Sequence, residues 1–380
     1  MRGISSDETV VIITSDEPWG DVMHTQLHYA FQLSKHFDVI YINPPRIWNP
    51  ARGVIDYKKT YRVNSKLLVI PYRHVFPVRV FRKLFTFFND IMTSLSIRKF
   101  IPAGKSDIIL WRFDHFRFFT AWLPGSIRSI YHVVDQYAGK PGDNVFASAS
   151  DLVVVTSPRL TSHYEKLNKN VITVPQCIPE EDNITDPVVV NEIREQFGQY
   201  LLFIGTFSHE VDIDLLNKIA RRFPDNKLLI IGPVVNLNHN GLEQLKAFQS
   251  NANVCFFGSI SGLELKNFIR GAAVCLVPYK FKNSRAVHIR SPLKILNYIS
   301  QKRPVVTSME SELPDPVNMG VYFVESVEEF IEKIDNCLHS NQAIDKIKVD
   351  TYLEQVDYSK RINQILDILE NSTTTKHPVK

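Results

Sequence analysis

The segment HIRSPLKILNYISQKRPVV, residues 288–306, sets Ser291, Pro292 and Lys294 at the entrance of an apolar helix. Ser291 suits an N-cap, and Pro292 suits the first helical position, where a missing N–H costs nothing. A lysine in the first turn runs against the helix dipole. The open N–H groups of that helix end, together with Lys294, would form an anion site. An ordinary surface lysine on an ordinary helix would give the same local pattern. Lys294, Asn297 and Gln301 fall on one face by i, i+3, i+7 spacing, leaving Ile295, Leu296 and Ile299 for the core side. The preceding PYKFKNSRAVHIR adds Lys280, Lys282, Arg285, His288 and Arg290 after a strand-like run. So basic a loop at a strand's carboxyl end suits phosphate; a solvated loop fits it equally.

A second set of residues suits proton transfer. Asp135 ends the run SIYHVVD, and a carboxylate at a strand's carboxyl end is placed to act as a general base toward a hydroxyl. A loop cap is the competing use of the same residue. WRFDHFRF offers Arg112, Asp114 and His115 at a neighbouring strand end, and the loop SDEPWGD after the first strand carries Trp19 and Gly20. In GTFSHEVDID, Gly205 permits close backbone approach to a ligand, with Thr206 beside it. Asp212 and Asp214 spell D-x-D, but Asp212 stands where a helix begins, and N-capping accounts for it without a metal.

These residues need a scaffold. The chain has 380 residues, 44% apolar and 22% charged, with net charge +4. That length suits two globular domains. The charge is too small to argue for nucleic acid, and no reading motif accompanies it. Val- and Ile-rich runs recur at 9–15, 38–44, 66–72, 107–111, 129–135, 151–157 and 171–176, with helical patterns between most of them. Continuous apolar runs indicate strands buried on both faces of parallel sheets, and their alternation with helices indicates βαβ units. After the polar gap CIPEEDNITDPVVVNE the pattern restarts at 200–207, 227–234, 253–260, 273–280, 303–309 and 320–326. The expected organisation is an N-terminal Rossmann-like domain at 8–180 and a C-terminal Rossmann-like domain at 192–350. A C-terminal helix at 351–371 follows, packing back on the first domain, and then a disordered tail at 372–380. The four cysteines are scattered and read as reduced, buried thiols in a reducing cytoplasm. No leader is expected, and no uncharged run reaches the roughly 18 residues of a membrane span.

SPLKILNYISQKRPVV resembles the signature segment of GT-B glycosyltransferases, the group-1 or family-4-like enzymes of bacterial polysaccharide synthesis. Their usual form reads Ser-Pro-x-Lys-x-x-Glu-Tyr-x-Ala-x-Gly-x-Pro-Val-Val. DLVVVTSPRLTSHYEKLNKNVITVPQCI, LLFIGTFSHEVDIDLLNKIARRFPDNKLLIIGPV and NVCFFGSISGLELKNFIRGAAVCLVPYK are similar to other segments of that family, in the same order. The resemblance implies an α/β, GT-B fold of two doubly wound Rossmann-like domains facing a cleft, 8–180 on the acceptor side and 192–350 binding the nucleotide sugar. It implies sugar transfer from a nucleotide-diphosphate donor to a saccharide or lipid-linked acceptor, as a metal-independent hexosyltransferase without a cofactor. Donor contacts would come from Gly205, Thr206, Tyr279, Arg290, Ser291, Pro292, Leu293, Lys294 and Asn297. The acceptor side would use Trp19, Gly20, Arg112 and Asp114, with Asp135 as the base of an inverting reaction. The family's Glu is Asn297 here, its Ala and Gly are Ser300 and Lys302, and Ile289 stands eight positions before Asn297, so the Glu-x7-Glu pair is absent. More distantly the chain resembles xanthan-type glucuronosyltransferases, which carry an amide at that place. A nucleotide-sugar 2-epimerase of the same fold and a non-catalytic scaffold of a polysaccharide-assembly complex are the alternatives.

Residues 73–100, RHVFPVRVFRKLFTFFNDIMTSLSIRKF, are basic and aromatic, with Phe81, Phe85 and Phe88 at helical spacing and Asp90 their one acid. Such a helix suits peripheral attachment to an anionic membrane, here the inner face of the cytoplasmic membrane. A core-packed helix with a solvated basic face is the other reading.

Overall fold

The computed structural model describes residues 4–20, 23–49, 53–56, 59–76, 82–135, 137–179, 184–235, 237–260, 262–281, 293–339 and 344–373. The chain forms two compact units, Met1–Pro175 with Tyr358–Lys380, and Gln176–Asp357.

The strands of the first unit are β1 (Thr9–Thr14), β2 (Asp38–Asn43), β3 (Arg46–Asn49), β4 (Gly53–Asp56), β5 (Tyr61–Arg62), β6 (Leu67–Pro71), β7 (Asp107–Arg112), β8 (Ser126–Val133), β9 (Leu152–Val155) and β10 (Val171–Thr173). β3 and β4 pair with each other as an antiparallel hairpin. The others form one sheet in the order β10-β9-β8-β7-β1-β2-β6-β5. It is parallel except where β5 runs antiparallel to β6. Every residue of β1 is buried, which is why its sequence is a continuous apolar run rather than an alternation. The direction of winding reverses between β1 and β7, and loops leaving such a switch point are where α/β sheets bind ligands. Helices α1 (Thr25–Leu33), α2 (Arg82–Arg98), α3 (Asp143–Ala149) and α4 (Pro158–Tyr164) complete this part of the unit.

The second unit has helices α5 (Pro187–Phe197), α6 (Ile213–Arg222), α7 (His239–Gln249), α8 (Gly262–Gly271), α9 (Leu293–Ser300), α10 (Val327–His339) and α11 (Lys346–Gln355). Its strands are β11 (Tyr200–Ile204), β12 (Lys227–Ile231), β13 (Val254–Phe257), β14 (Val274–Val277), β15 (Val305–Thr307) and β16 (Val321–Phe323). They lie in the order β13-β12-β11-β14-β15-β16, all parallel. Counted from β11, this is the doubly wound order 3-2-1-4-5-6, with its switch point between β11 and β14.

Two local differences from the sequence reading have simple causes. Helix α5 begins inside the polar gap, because Asp186 accepts from the Val188 N–H at 2.9 Å and Pro187 occupies the first turn. The last helical stretch is two helices, α11 and α12 (Tyr358–Thr373), and α12 returns to the first unit. There Tyr358 stacks on His28 and meets the ring of Tyr29 edge-on, 5.0 Å between centroids. The tail beyond Thr373 lies outside the described residues. Cys177 and Cys275 are buried as expected, Cys255 and Cys337 are only half-buried, and none of the four is in a disulfide.

The core of the first unit contains a buried histidine. His132 on β8 is fully buried, with Phe113 4.7 Å and Tyr29 4.9 Å from its centroid. The Trp111 indole N–H donates to its Nδ1 at 3.2 Å, so the neutral ring carries its proton on Nε2. Burial pushes its pKa down to about 3. A base depressed in the fold contributes stability that is complete above its unfolded pKa and is lost as pH falls toward the folded value. Between pH 7 and pH 4 this residue is expected to remove on the order of 3 kcal/mol from the first unit. Urea unfolding of His132→Phe at the two pH values should show the acid sensitivity reduced by that amount. An unchanged acid dependence contradicts the assignment.

Candidate functional site

In the second unit, the carboxyl ends of β11 and β14 and the start of α9 meet at the switch point. Tyr298 on α9 is buried, and its hydroxyl accepts from the Ile204 N–H at 2.8 Å, tying α9 to the end of β11. The chain leaving β14 is held on both sides. Tyr279 donates its N–H to Ser308 Oγ at 2.9 Å and accepts from the same hydroxyl at 2.6 Å. Asp212 N–H donates to Pro278 O at 2.9 Å, and Lys280 N–H donates to Glu210 O at 3.1 Å, so the loop after β11 is pinned against Tyr279. Asp212 caps α6, its carboxylate accepting from Leu215 N–H at 2.9 Å, as its position in D-x-D implies.

Lys294 projects into this frame. Its ammonium donates to the Tyr279 hydroxyl and lies 4.6 Å from the Tyr279 ring centroid and 4.9 Å from that of Phe203. A Cβ built on Gly205 would come within 2.8 Å of Lys294 Nζ, so the cation sits against bare backbone. Gly205 holds φ +131°, a conformation that side chains resist. Among the described residues no carboxylate pairs with Lys294. A cation steadied by two aromatic faces and a hydroxyl, over an open glycine at a switch point, can receive an anion. Leu293 is half-buried and Thr206 exposed beside it. Arg290, Ser291 and Pro292 lie outside the described residues, as do Lys282, Arg285, His288 and Ile289. The face drawn through Lys294, Asn297 and Gln301 needs correction: Gln301 lies past the end of α9 and is buried. Ile295, Leu296 and Ile299 are buried as their spacing implies.

Asn297 has a partner that its spacing did not reveal. Lys266 of α8 is 5% exposed, and its ammonium donates to Asn297 Oδ1. An ammonium can only donate, so the amide oxygen faces Lys266. Lys302 takes φ 54° just after α9, where the resembling signature has glycine, and its ammonium pairs with Asp350. The left-handed turn that ends this helix is therefore made here by a lysine.

In the first unit, Asp135 is exposed just after β8. Trp19 donates its N–H to Asn43 Oδ1 at 2.8 Å and packs edge-on against Tyr41, and Gly20 is exposed beside it. Arg112 is buried, 5.1 Å from the Phe146 ring, and burial lowers its pKa to about 10. Asp114 is also buried, accepting from Phe116 N–H and Arg117 Nε, both at 2.6 Å. It holds Arg117 in place rather than standing open to solvent. A residue the sequence reading passed over is Asp16, in the loop after β1. Burial, then Asp114 and Glu17, raise its pKa to about 7, with Arg117 pulling it down less. The available signal was two adjacent acids, Asp16-Glu17, directly after an apolar strand.

Helix α2 is amphipathic in the inverted sense. Thr86, Asn89, Asp90, Thr93 and Ser94 are buried, whereas Leu84, Phe87, Phe88, Met92 and Leu95 are exposed. Asp90 is not a surface acid: it accepts from Tyr72 Oη at 2.6 Å and from the N–H groups of Phe118 and Thr120 at 2.8 and 3.1 Å. Val75, Phe76, Phe100 and Trp122 are exposed as well, and so are Arg73, Lys83 and Lys99. Phe81 and Arg79 lie outside the described residues. Among those described, no helix is long and apolar enough to cross a membrane.

Solved structures share this architecture across nearly the whole chain. Sucrose-phosphate synthase from Thermosynechococcus elongatus matches with TM-score 0.68 at 14% identity, over 97% of this chain and 100% of that one. Anabaena HepE in complex with UDP and glucose matches with TM-score 0.66 at 11% identity, over 95% and 99%. WaaG, a glycosyltransferase involved in lipopolysaccharide biosynthesis, matches with TM-score 0.62 at 11% identity, over 94% and 99%. The fold is GT-B, two Rossmann-like units in tandem. Residues 198–340, all in the second unit, match the family described as glycosyl transferases group 1. No curated protein matches the chain.

Proposed function

We propose that the protein transfers a glycosyl group from a nucleoside-diphosphate sugar to a hydroxyl of a saccharide or lipid-linked acceptor, in the building of a polysaccharide or cell-surface glycan. The observation that carries this reading is the Lys294 ammonium, steadied by Tyr279 and Phe203 over the bare backbone of Gly205 at the switch point of the second unit. As the acceptor oxygen bonds to the anomeric carbon, the bond from that carbon to the diphosphate breaks, and the electron pair leaves on a phosphate oxygen. Lys294 meets that developing charge. Lys280, held beside the loop after β11, adds positive potential, and no metal is assigned to the step. Asp135 is the sequence candidate for the carboxylate that takes the acceptor proton. Anabaena HepE, solved with UDP and glucose, supports a donor of this class.

A thermal-shift series with UDP, GDP, TDP and their sugars tests the reading, because a ligand that binds the folded chain raises its melting temperature by mass action. One nucleotide class is expected to raise it, and the matching nucleotide sugar should release its sugar. A melting temperature that no nucleotide moves would contradict the proposal.

The inverted helix α2 supports a place at the inner face of the cytoplasmic membrane. Its exposed Leu84, Phe87, Phe88, Met92 and Leu95 form an apolar stripe, with Lys83 and Lys99 at its ends to meet anionic headgroups. Burying a large apolar side chain is worth about 1.5–3 kcal/mol. Leu84→Ser with Phe87→Ser is therefore expected to weaken binding to phosphatidylglycerol vesicles by at least about tenfold. Sedimentation with the vesicles reads it, and equal binding of the variant would remove the membrane assignment.

A further inference from the structure

On one face of the first unit's sheet, two apolar columns end in polar groups at the switch point between β1 and β7. Val10 and Ile12 of β1 and Ile108 and Leu110 of β7 belong to one core cluster. Side chains two apart on a strand share a face, so Thr14 and Arg112, the last residues of those strands, point the same way. They are register partners on adjacent strands, which lie about 4.8 Å apart. Arg112 is 9% and Thr14 2% exposed. Neither Arg112 Nε nor Thr14 Oγ1 has a hydrogen-bond partner, and among the described residues no carboxylate pairs with the guanidinium. Two acids act on Arg112 through their fields, and both spend their oxygens elsewhere. Asp90 accepts from Tyr72, Phe118 and Thr120, and Asp151 accepts from the Ser129 N–H and hydroxyl at 2.8 and 3.0 Å. Tyr131, the register partner of Arg112 on β8, donates its hydroxyl to Asp143 at 2.7 Å. What remains is the Phe146 ring, 5.1 Å from the guanidinium carbon. One aromatic face offsets only part of the cost of burying an unpaired ion.

We infer that Arg112 and Thr14 bind an oxyanion, the phosphate or carboxylate group of a ligand held by the first unit. A guanidinium presents a planar fork of donors that matches two oxygens of either group, and the threonine hydroxyl adds a further donor beside it. Elsewhere in this unit the fold supplies its own acids to its cations: Arg117 pairs with Asp114, and Lys105 with Asp38 at 3.0 Å. Arg112 stands instead at the carboxyl end of its strand, at the switch point where such sheets bind ligands, with its charge left for something outside the fold. The anion site uses groups of one unit only. The identity of its ligand rests on the glycosyltransferase reading. Within that reading the ligand is the acceptor, and its class narrows to an anionic saccharide, a sugar phosphate or a uronate-bearing glycan.

Calorimetric titration reads the site. The protein is the full chain carrying Lys294→Ala, so that the cation of the second unit does not report, in Tris chloride free of phosphate and carboxylates. Glucose 6-phosphate, glucuronate and glucose are the probes, at matched ionic strength. At least one of the two acids should bind and glucose should not; glucose 6-phosphate assigns a phosphate, glucuronate a carboxylate. Adding Arg112→Met should weaken that binding at least about tenfold, the effect of losing a charge-assisted fork. The same change should raise the melting temperature of the chain without ligand, because an apolar side chain of similar length replaces an unpaired buried charge. An Arg112→Met chain that melts lower, or does not fold, would mean that the guanidinium is paired within the fold, and would overturn the inference. Thr14→Val is close to isosteric and removes only an unpartnered hydroxyl. It should melt no lower than the parent and weaken binding at least about threefold. Binding of neither acid, or equal binding after both changes, also overturns the inference. The two readings fail separately. A parent chain that binds no nucleotide removes the glycosyltransferase reading, and an acid response lost in Arg112→Met then still upholds the anion site. Nucleotide binding without any acid response removes the anion site alone.

Discussion

Lys294→Ala is expected to lower sugar transfer by about 10²–10³-fold, the usual effect of removing one preorganised stabiliser of developing charge. The loss should fall on turnover and on affinity for the nucleoside diphosphate together, because the ammonium faces a group that is charged before and after the bond breaks. Folding should be little affected. The side chain is half-buried, and its two ring contacts are worth about 0.5–1 kcal/mol each. Arginine should not restore the rate. The compact ammonium sits by the Tyr279 and Phe203 rings against the bare backbone of Gly205, a place that suits a point charge rather than a planar fork. Steady-state kinetics with urea unfolding of the same proteins separates the two effects. Full activity in Lys294→Ala would remove the donor site.

Gly232→Ala is expected to damage the same site from the far side of β11. Gly232 follows β12 with φ +138°, and a Cβ there would lie 2.3 Å from Gly205 O and 2.8 Å from Gly205 C. Those are backbone atoms, held by the Gly205 N–H bond to Ile231 O at 2.9 Å, so they cannot turn aside as a side chain could. The strained φ alone costs about 1–3 kcal/mol, and the clash adds to it. A loss of at least about 3 kcal/mol in the unfolding of the second unit should result. Nucleotide binding should weaken with it, since relief of the clash moves Gly205 away from Lys294. A variant with wild-type stability would show that the two glycines are not in contact.

The parallel sheets were legible because strands buried on both faces need continuous apolar runs, as in Leu201–Ile204 of β11 and Val10–Ile13 of β1. Lys294 was legible because it stands at a fixed distance from Ser-Pro in one short segment. What lay hidden depends on contacts between distant parts of the chain. Asp16 looks like any loop acid until parallel pairing of β1 with β7 sets Thr14 beside Arg112 and brings Asp114 to it. Asn297 reads as a weakened glutamate position, and its partner Lys266 is 31 residues away on another helix. The basic, aromatic character of α2 was visible in its residues. Which face is buried was not, because that depends on Asp90 meeting Tyr72, Phe118 and Thr120.

The central claim is that the second unit holds a nucleoside diphosphate through Lys294. Calorimetric titration of the full chain and of Lys294→Ala with UDP, GDP and TDP tests it most directly. One of the three should bind the parent chain, and bind Lys294→Ala at least about tenfold more weakly, a difference of about 1.4 kcal/mol. Equal binding to both proteins, or binding to neither, would contradict the account.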